Sequence, residues 1–152
     1  MAKKKIILKV ATPERIVLEE EIEQITLPTQ EGVITVLPDH IPLITNLVSG
    51  VAAVVSGGEL KEMAISGGFL ELHNNELTIL ADTAEKADEI DIERAEEARK
   101  KAIEQKQDKR KFLDETQFAT VLSKIEKESA RIKLAKRYQR RSKRRINLND
   151  HQ

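Results

Sequence analysis

Three short stretches of the sequence carry residues that could do chemistry. Asp39-His40 sits between Pro38 and Pro42, a carboxylate beside an imidazole in a loop stiffened at both ends. Such a pair can serve as the base half of a nucleophilic site, but it needs a nucleophile and a third group to orient it. The other histidines, His73 in a turn and His151 near the end, supply neither, and no serine sits in a strand-turn-helix elbow. Ser-Gly-Gly occurs at 56–58 and at 66–68, yet neither copy opens a helix or is followed by Gly-Lys-Ser/Thr, so both read as hairpin turns rather than phosphate loops. Ile90-Asp91-Ile92-Glu93-Arg94-Ala95 places an acid and a guanidinium three residues apart, where Arg94 can pair a phosphate and Asp91 can accept from a base or ribose. The plainer account of Asp91 is an acid near a helix start, favoured by the helix dipole. The three histidines have no metal-ligand spacing.

The elements around these residues divide the chain in two. All six glycines and all four prolines precede residue 69. Before that point, short β-branched runs alternate with turn formers: Ile6–Val10, Ile25–Leu27, Val33–Leu37, Val51–Val55 and Leu60–Ile65. Phe69–Leu72 and Leu77–Leu80 follow, across the turn His73-Asn74-Asn75. That spacing predicts an all-β sandwich or barrel. Beyond it the period changes. Ala84, Ala87, Ala95, Ala98 and Ala102 recur at helical steps on a charged background, which predicts a helix that a second helix can approach closely. The second helix starts near Asp114 or Thr116, either of which can cap it, and its apolar stripe is Phe118, Val121, Leu122, Ile125, Ile132 and Ala135, with a gap at Glu128-Ser129. Each helix is expected to run about 22 to 26 residues, roughly 35 to 40 Å. The charged connection QDKRKFL suits a hairpin or a straightened arm.

Charge follows the same division. Residues 1–83 carry 6 Lys/Arg against 12 Asp/Glu, and residues 84–152 carry 20 against 14. The run Arg131 to Arg145 holds nine cations and no acid, which suits an acidic protein surface or nucleic acid, or simply a solvated helix end. Only Tyr138 offers a stacking platform there, and the first half has few cations, so a nucleic-acid or ribosome-binding module is the weaker reading. There is no cysteine, which excludes disulfides and thiolate chemistry. No 18-residue apolar run exists, and the start MAKKKIILKV is too short and too broken by Lys9 for a signal peptide.

Taken in order, EGVITVLPDHIPLIT, then Gly50, then AISGGFLELHNNELTILADTAEKADEIDIERA closely resemble the epsilon subunit of the F-type ATP synthase over residues 5–105, and ESARIKLA at 128–135 continues the likeness. The resemblance implies an α+β chain: an N-terminal antiparallel β-sandwich of about ten strands at 1–86, then a two-helix antiparallel hairpin at 87–140 that can extend. Residues 141–152 are a basic tail, either flexible or continuing the second helix. It implies a non-catalytic rotor subunit that couples proton-driven rotation to ATP synthesis and brakes ATP hydrolysis through its helices. The implied partners are the gamma subunit, the ring of c subunits and the alpha and beta subunits of the catalytic head, at the cytoplasmic face of the bacterial plasma membrane, with no nucleic acid. Contact with the membrane comes only through the complex.

Residue by residue, the resemblance assigns docking to Glu31, Pro38, Asp39, His40 and Pro42. It assigns contact with acidic beta-subunit segments to Lys133, Lys136, Arg137, Arg140 and Arg141. The family's nucleotide motif I/L-D-x-x-R-A falls on Ile90, Asp91, Arg94 and Ala95, with Glu85, Lys127 and Arg131 completing a candidate site for ATP as a regulatory ligand. Lys101 and Lys127 stand where binders commonly have arginine, and lysine lacks the bidentate fork. No cofactor or metal is required.

Overall fold

A computed structural model describes residues 3–108 and 113–149, with the side chains of the last helix as far as Arg144. The chain divides into two compact units, Met1–Lys86 and Ala87–Gln152.

The first unit holds ten strands in two five-stranded sheets. These are β1 (Ile6–Ala11), β2 (Ile16–Ile22), β3 (Gln24–Thr29), β4 (Gly32–Val36), β5 (Leu43–Asn46), β6 (Gly50–Ser56), β7 (Glu59–Ser66), β8 (Phe69–His73), β9 (Glu76–Leu80) and β10 (Thr83–Lys86). One sheet has the order β2-β1-β9-β8-β5 and the other β10-β7-β6-β3-β4. All pairs are antiparallel except β1 with β9, which run parallel. β1 is inserted between the β8–β9 hairpin and β2, so no tight turn dictates its direction.

Alternation along each strand sends one set of side chains inward. Ile6, Leu8 and Val10 of β1 are fully buried, as are Ile22, Leu70 and Ile79, and they share one cluster with Ile25, Leu27, Val36, Ala52, Val54 and Met63 from the other sheet. The core contains no aromatic side chain, and the one phenylalanine of this unit, Phe69, is exposed.

Three strands escaped the residue-level reading. β5 is four residues long, and β10 holds Ala84, which the alanine pattern assigns to the helix. β2 carries Glu19-Glu20-Glu21, three consecutive charges that interrupt its apolar pattern. Its place at the sheet edge tolerates this. Glu20 takes the inward side opposite Leu8, where it bonds Lys61 of the other sheet at 2.6 Å. An inward charge on an edge strand also discourages pairing with a further strand.

The second unit starts with a single 3-10 turn, Ala87–Glu89, followed by α1 (Ile92–Asp108) and α2 (Glu115–Asn149). Ala84 therefore lies on a strand and Ala87 in a turn. The first helix is shorter than its alanine pattern suggested, at 17 residues, and the second is longer, at 35. Asp91 caps α1, accepting the Arg94 N–H at 3.1 Å. Asp114 caps α2 reciprocally: Asp114 Oδ1 accepts from the Gln117 N–H at 2.7 Å, and Gln117 Oε1 accepts from the Asp114 N–H at 3.4 Å. Glu96 meets Lys136 at 2.6 Å, and Lys106 lies over the Phe118 ring at 5.9 Å. The higher residue of α1 thus meets the lower one of α2, so the helices are antiparallel. α2 continues nine residues past residue 140, so the basic tail extends the helix as far as Asn149, and residues 150–152 lie outside the described chain.

One backbone approach is essential to the sandwich. Gly68 has φ +94°, and a Cβ there would lie 2.7 Å from the Ala81 Cα and inside the contact shell of the Leu80 carbonyl oxygen. Gly68→Ala is expected to destabilise the first unit by about 3 kcal/mol or more, read by urea unfolding, because it combines a forbidden φ with a backbone clash. A loss under about 1 kcal/mol would contradict that close approach.

Candidate docking loop and helical arm

The loop from Leu37 to Pro42 joins the two sheets. His40 N–H donates to the Leu37 carbonyl at 3.2 Å, with Pro38 and Asp39 between them, and Asp39 has φ 62°. Proline at the second position and positive φ at the third define a type II turn, where Gly or Asn is the usual third residue. Asp tolerates that region because its short polar side chain can bond locally.

Asp39 is not joined to His40. Its Oδ2 accepts from Lys4 Nζ at 2.6 Å, its Oδ1 accepts from Asn75 Nδ2 at 3.0 Å, and its own N–H donates to Asn75 Oδ1 at 2.6 Å. The His40 ring Nδ1 instead lies 2.8 Å from the Ile41 carbonyl oxygen. The carboxylate and the imidazole are each committed elsewhere, so the loop holds no base arranged for catalysis. The loop turns apolar groups outward: Ile41 is 74% exposed and Leu37 52%.

Glu31 is not part of this constellation. It occupies the two-residue β3–β4 turn, where its N–H donates to Thr29 Oγ1 at 3.3 Å. The whole of β4, about 14 Å at ~3.4 Å per step, separates it from Pro38. Lys4 and Asn75 are the partners that reading by residue type missed. The one sequence signal for Asn75 was its turn, His73-Asn74-Asn75; nothing local marked Lys4.

In the second unit, Ala95 and Ala102 of α1 are buried two turns apart. The gap in the α2 stripe is filled by a buried ion pair. Glu128 is 5% exposed, and its Oε2 accepts from Arg131 at 2.7 Å. Of the candidate nucleotide set, Asp91 caps α1 and Arg94 lies in its first turn, while Lys127 and Arg131 lie one turn apart on α2. Glu85 lies on β10, in the first unit. A depression of about 390 Å³ on α1 is lined by Glu96, Arg99, Lys100, Ile103 and Glu104, none of them in that set. Lys133, Arg140, Arg141 and Arg144 are exposed and Arg137 half-buried; Lys136 is spent on Glu96. Among the described residues, no cluster suits a metal ion, and no helix is long and apolar enough to cross a membrane.

A ten-stranded sandwich followed by an antiparallel helical pair defines an α+β fold. Residues 5–87 match the family described as "ATP synthase, Delta/Epsilon chain, beta-sandwich domain". The ATP synthase epsilon chain of Desulforamulus reducens is 42% identical over 107 residues, covering 70% of this chain and 81% of its own. That of Chloroflexus aggregans is 39% identical over 128 residues, covering 84% and 90%. Among solved structures, a chain of the Euglena gracilis mitochondrial ATP synthase, in an assembly of OSCP, F1 and c-ring, aligns with a TM-score of 0.70 at 27% identity, over 83% of this chain and 78% of that one. A chain of the Tetrahymena thermophila mitochondrial central stalk and c-ring shares the fold, with a TM-score of 0.58 at 16% identity over 89% and 99%. The chain belongs to the epsilon-subunit family of the F-type ATP synthase.

The Lys4 ammonium, and after it the Asn75 amide, hold the Asp39 carboxyl below its ordinary value of 3.8. A depressed folded-state pKa means that its bonds contribute fully above the unfolded value and are lost as pH falls through the folded one. A carbon-detected NMR titration is expected to place the Asp39 inflection below 3.8 and to move it upward in Lys4→Met. An inflection at or above the ordinary value would contradict the bonding described here.

Proposed function

We propose that this chain is a non-catalytic rotor subunit of the ATP synthase. Its sandwich docks on the gamma subunit and the c-subunit ring, coupling proton-driven rotation to ATP synthesis, and its helices inhibit ATP hydrolysis by meeting the alpha and beta subunits. The reading puts it at the membrane periphery, on the cytoplasmic face in a bacterium, held there by the complex. Its bacterial epsilon-chain relatives support that setting. Docking is supported by the Pro38–Pro42 loop, which presents Leu37 and Ile41 from a constrained turn.

The observation that carries the brake is the cationic stripe of α2. Lys133, Arg137, Arg140, Arg141 and Arg144 recur at three- and four-residue steps along one helical face, about 16 Å long. No acid interrupts the run from Arg131 to Arg145. Such a stripe fits an acidic helical surface and draws it in with a salt-dependent attraction. In the reconstituted complex, the triple charge reversal Lys133→Glu, Arg140→Glu, Arg141→Glu is expected to raise ATP hydrolysis roughly fivefold and to abolish the salt dependence of inhibition. Inhibition equal to that of the unaltered chain would sink this role.

ATP, read as a regulatory ligand, would engage Glu85, Ile90, Asp91, Arg94, Ala95, Lys127 and Arg131. Two of these already have work: Asp91 Oδ1 caps α1, and the Arg131 guanidinium holds the buried Glu128 carboxylate. A phosphate would therefore share Arg131 with Glu128, which favours weak binding. A ligand at ten times its Kd would favour the hairpin by about 1.4 kcal/mol, enough to tilt a balanced switch. Titrating Mg-ATP into the full chain is expected to give saturable amide shifts at Asp91, Arg94 and Arg131. Their absence up to several millimolar would remove nucleotide from the mechanism.

A further inference from the structure

Asn75 occupies an unusual position in the first unit. It lies in the β8–β9 hairpin turn, where Asn74 and Asn75 have φ 50° and 61° and His73 pairs with Glu76. Two central residues with positive φ make a type I′ turn. From that turn Asn75 reaches two other segments. Its backbone carbonyl accepts the Ile7 N–H at 2.8 Å, next to the start of β1. Its side-chain amide makes a two-way bond with Asp39, accepting the backbone N–H at 2.6 Å and donating to Oδ1 at 3.0 Å. Lys4, just before β1, closes the group from the other side of the same carboxylate. Three segments distant in sequence thus meet on the residue whose left-handed backbone shapes the Pro38–Pro42 loop.

We infer that Asn75, with Lys4 behind the Asp39 carboxylate, is a positioning residue for docking: it holds the loop in the one conformation that turns Leu37 and Ile41 outward. The physical need is specific. A left-handed backbone is unfavourable for a residue with a side chain, and the prolines restrict themselves and the residues before them, Leu37 and Ile41, so within the loop only the 3.2 Å bond from the His40 N–H to the Leu37 carbonyl helps to fix Asp39. The amide of Asn75 does so from outside it, by bonding the backbone N–H that only this conformation presents to it. The β8–β9 turn is itself rigid because its register is locked by five paired positions. The inference rests on the reading that the loop docks on the rotor ring, and it assigns to that surface a support outside the loop.

Asn75→Gly separates support from fold. Glycine suits φ 61°, and Asn-Gly is the preferred I′ pair, so the hairpin keeps its turn while the amide is removed. In the full-length variant, the urea unfolding midpoint should stay where it is. The Asp39 amide should exchange its hydrogen about tenfold faster, and binding to detergent-solubilised c-subunit rings in the presence of gamma should weaken about fivefold to tenfold, the scale of one hydrogen-bond pair. If Asn75→Gly lowers the midpoint, ring binding and Asp39 exchange are measured at a temperature where both chains remain fully folded, with the same expectation. Ile41→Glu is measured alongside. Should Ile41→Glu abolish ring binding while the loosened variant binds and exchanges like the parent, the positioning role is overturned and docking stands. Should Ile41→Glu bind like the parent, docking itself fails and the positioning role falls with it.

Discussion

Interdigitation of aliphatic side chains between two five-stranded sheets holds everything the first unit presents to a partner. At roughly 25 cal/mol per Å² of apolar area removed from water, a core built from Ile, Leu, Val and Met must be closely packed to offset the entropy of ordering some eighty residues. The burial pattern meets that demand: Ile6, Leu8, Val10, Ile25, Leu27 and Ile79 are each completely shielded. The same demand explains Gly50 and Gly68. At Gly50 a Cβ would press on the Pro28 ring at 2.8 Å, and at Gly68 on the backbone leading out of β9. Both close approaches exist because those two positions have no side chain.

From such a base a loop can be presented rather than merely exposed. Leu37 and Ile41 would bury readily if the connection between β4 and β5 could collapse. The prolines, the left-handed Asp39 and the bonds from Asn75 and Lys4 oppose that collapse. Exposed apolar groups in a constrained loop give a partner a surface whose ordering cost has been met during folding, which favours tight and specific contact. The Asp39-His40 pair shows how residue type alone misleads. Both side chains are polar and adjacent, yet the Asp39 carboxylate is engaged by the Lys4 and Asn75 side chains and the His40 ring by the Ile41 carbonyl.

The helical unit is stabilised differently. It buries little: alanines on α1, and Ile132, Leu134 and Ala135 on α2. Its ends are secured by Asp91 and Asp114, and its middle contains an ion pair, Glu128 with Arg131, that is shielded from water. Buried pairs contribute little net stability but are costly to break singly, so they favour one arrangement over near alternatives. A modest apolar contact with polar bonds that specify its register suits an element proposed to leave its partner and return.

The sequence alone determined the division into a strand half and a helix half, because glycine, proline and hydrophobic period are local signals that neither half could hide. It also determined the class, since ordered motifs over about a hundred residues carry family membership. It did not determine β2, where three glutamates are tolerable only at a sheet edge facing Lys61, nor β10, whose alanine matches a helical stripe as well as a strand. Nor could it place Glu31, which is close to Pro38 in sequence but separated from it by the length of β4. Asn75 and Lys4 became visible only with the tertiary structure. A hydrogen bond between residues 36 positions apart depends on how three strands are stacked, and no window of sequence contains that information.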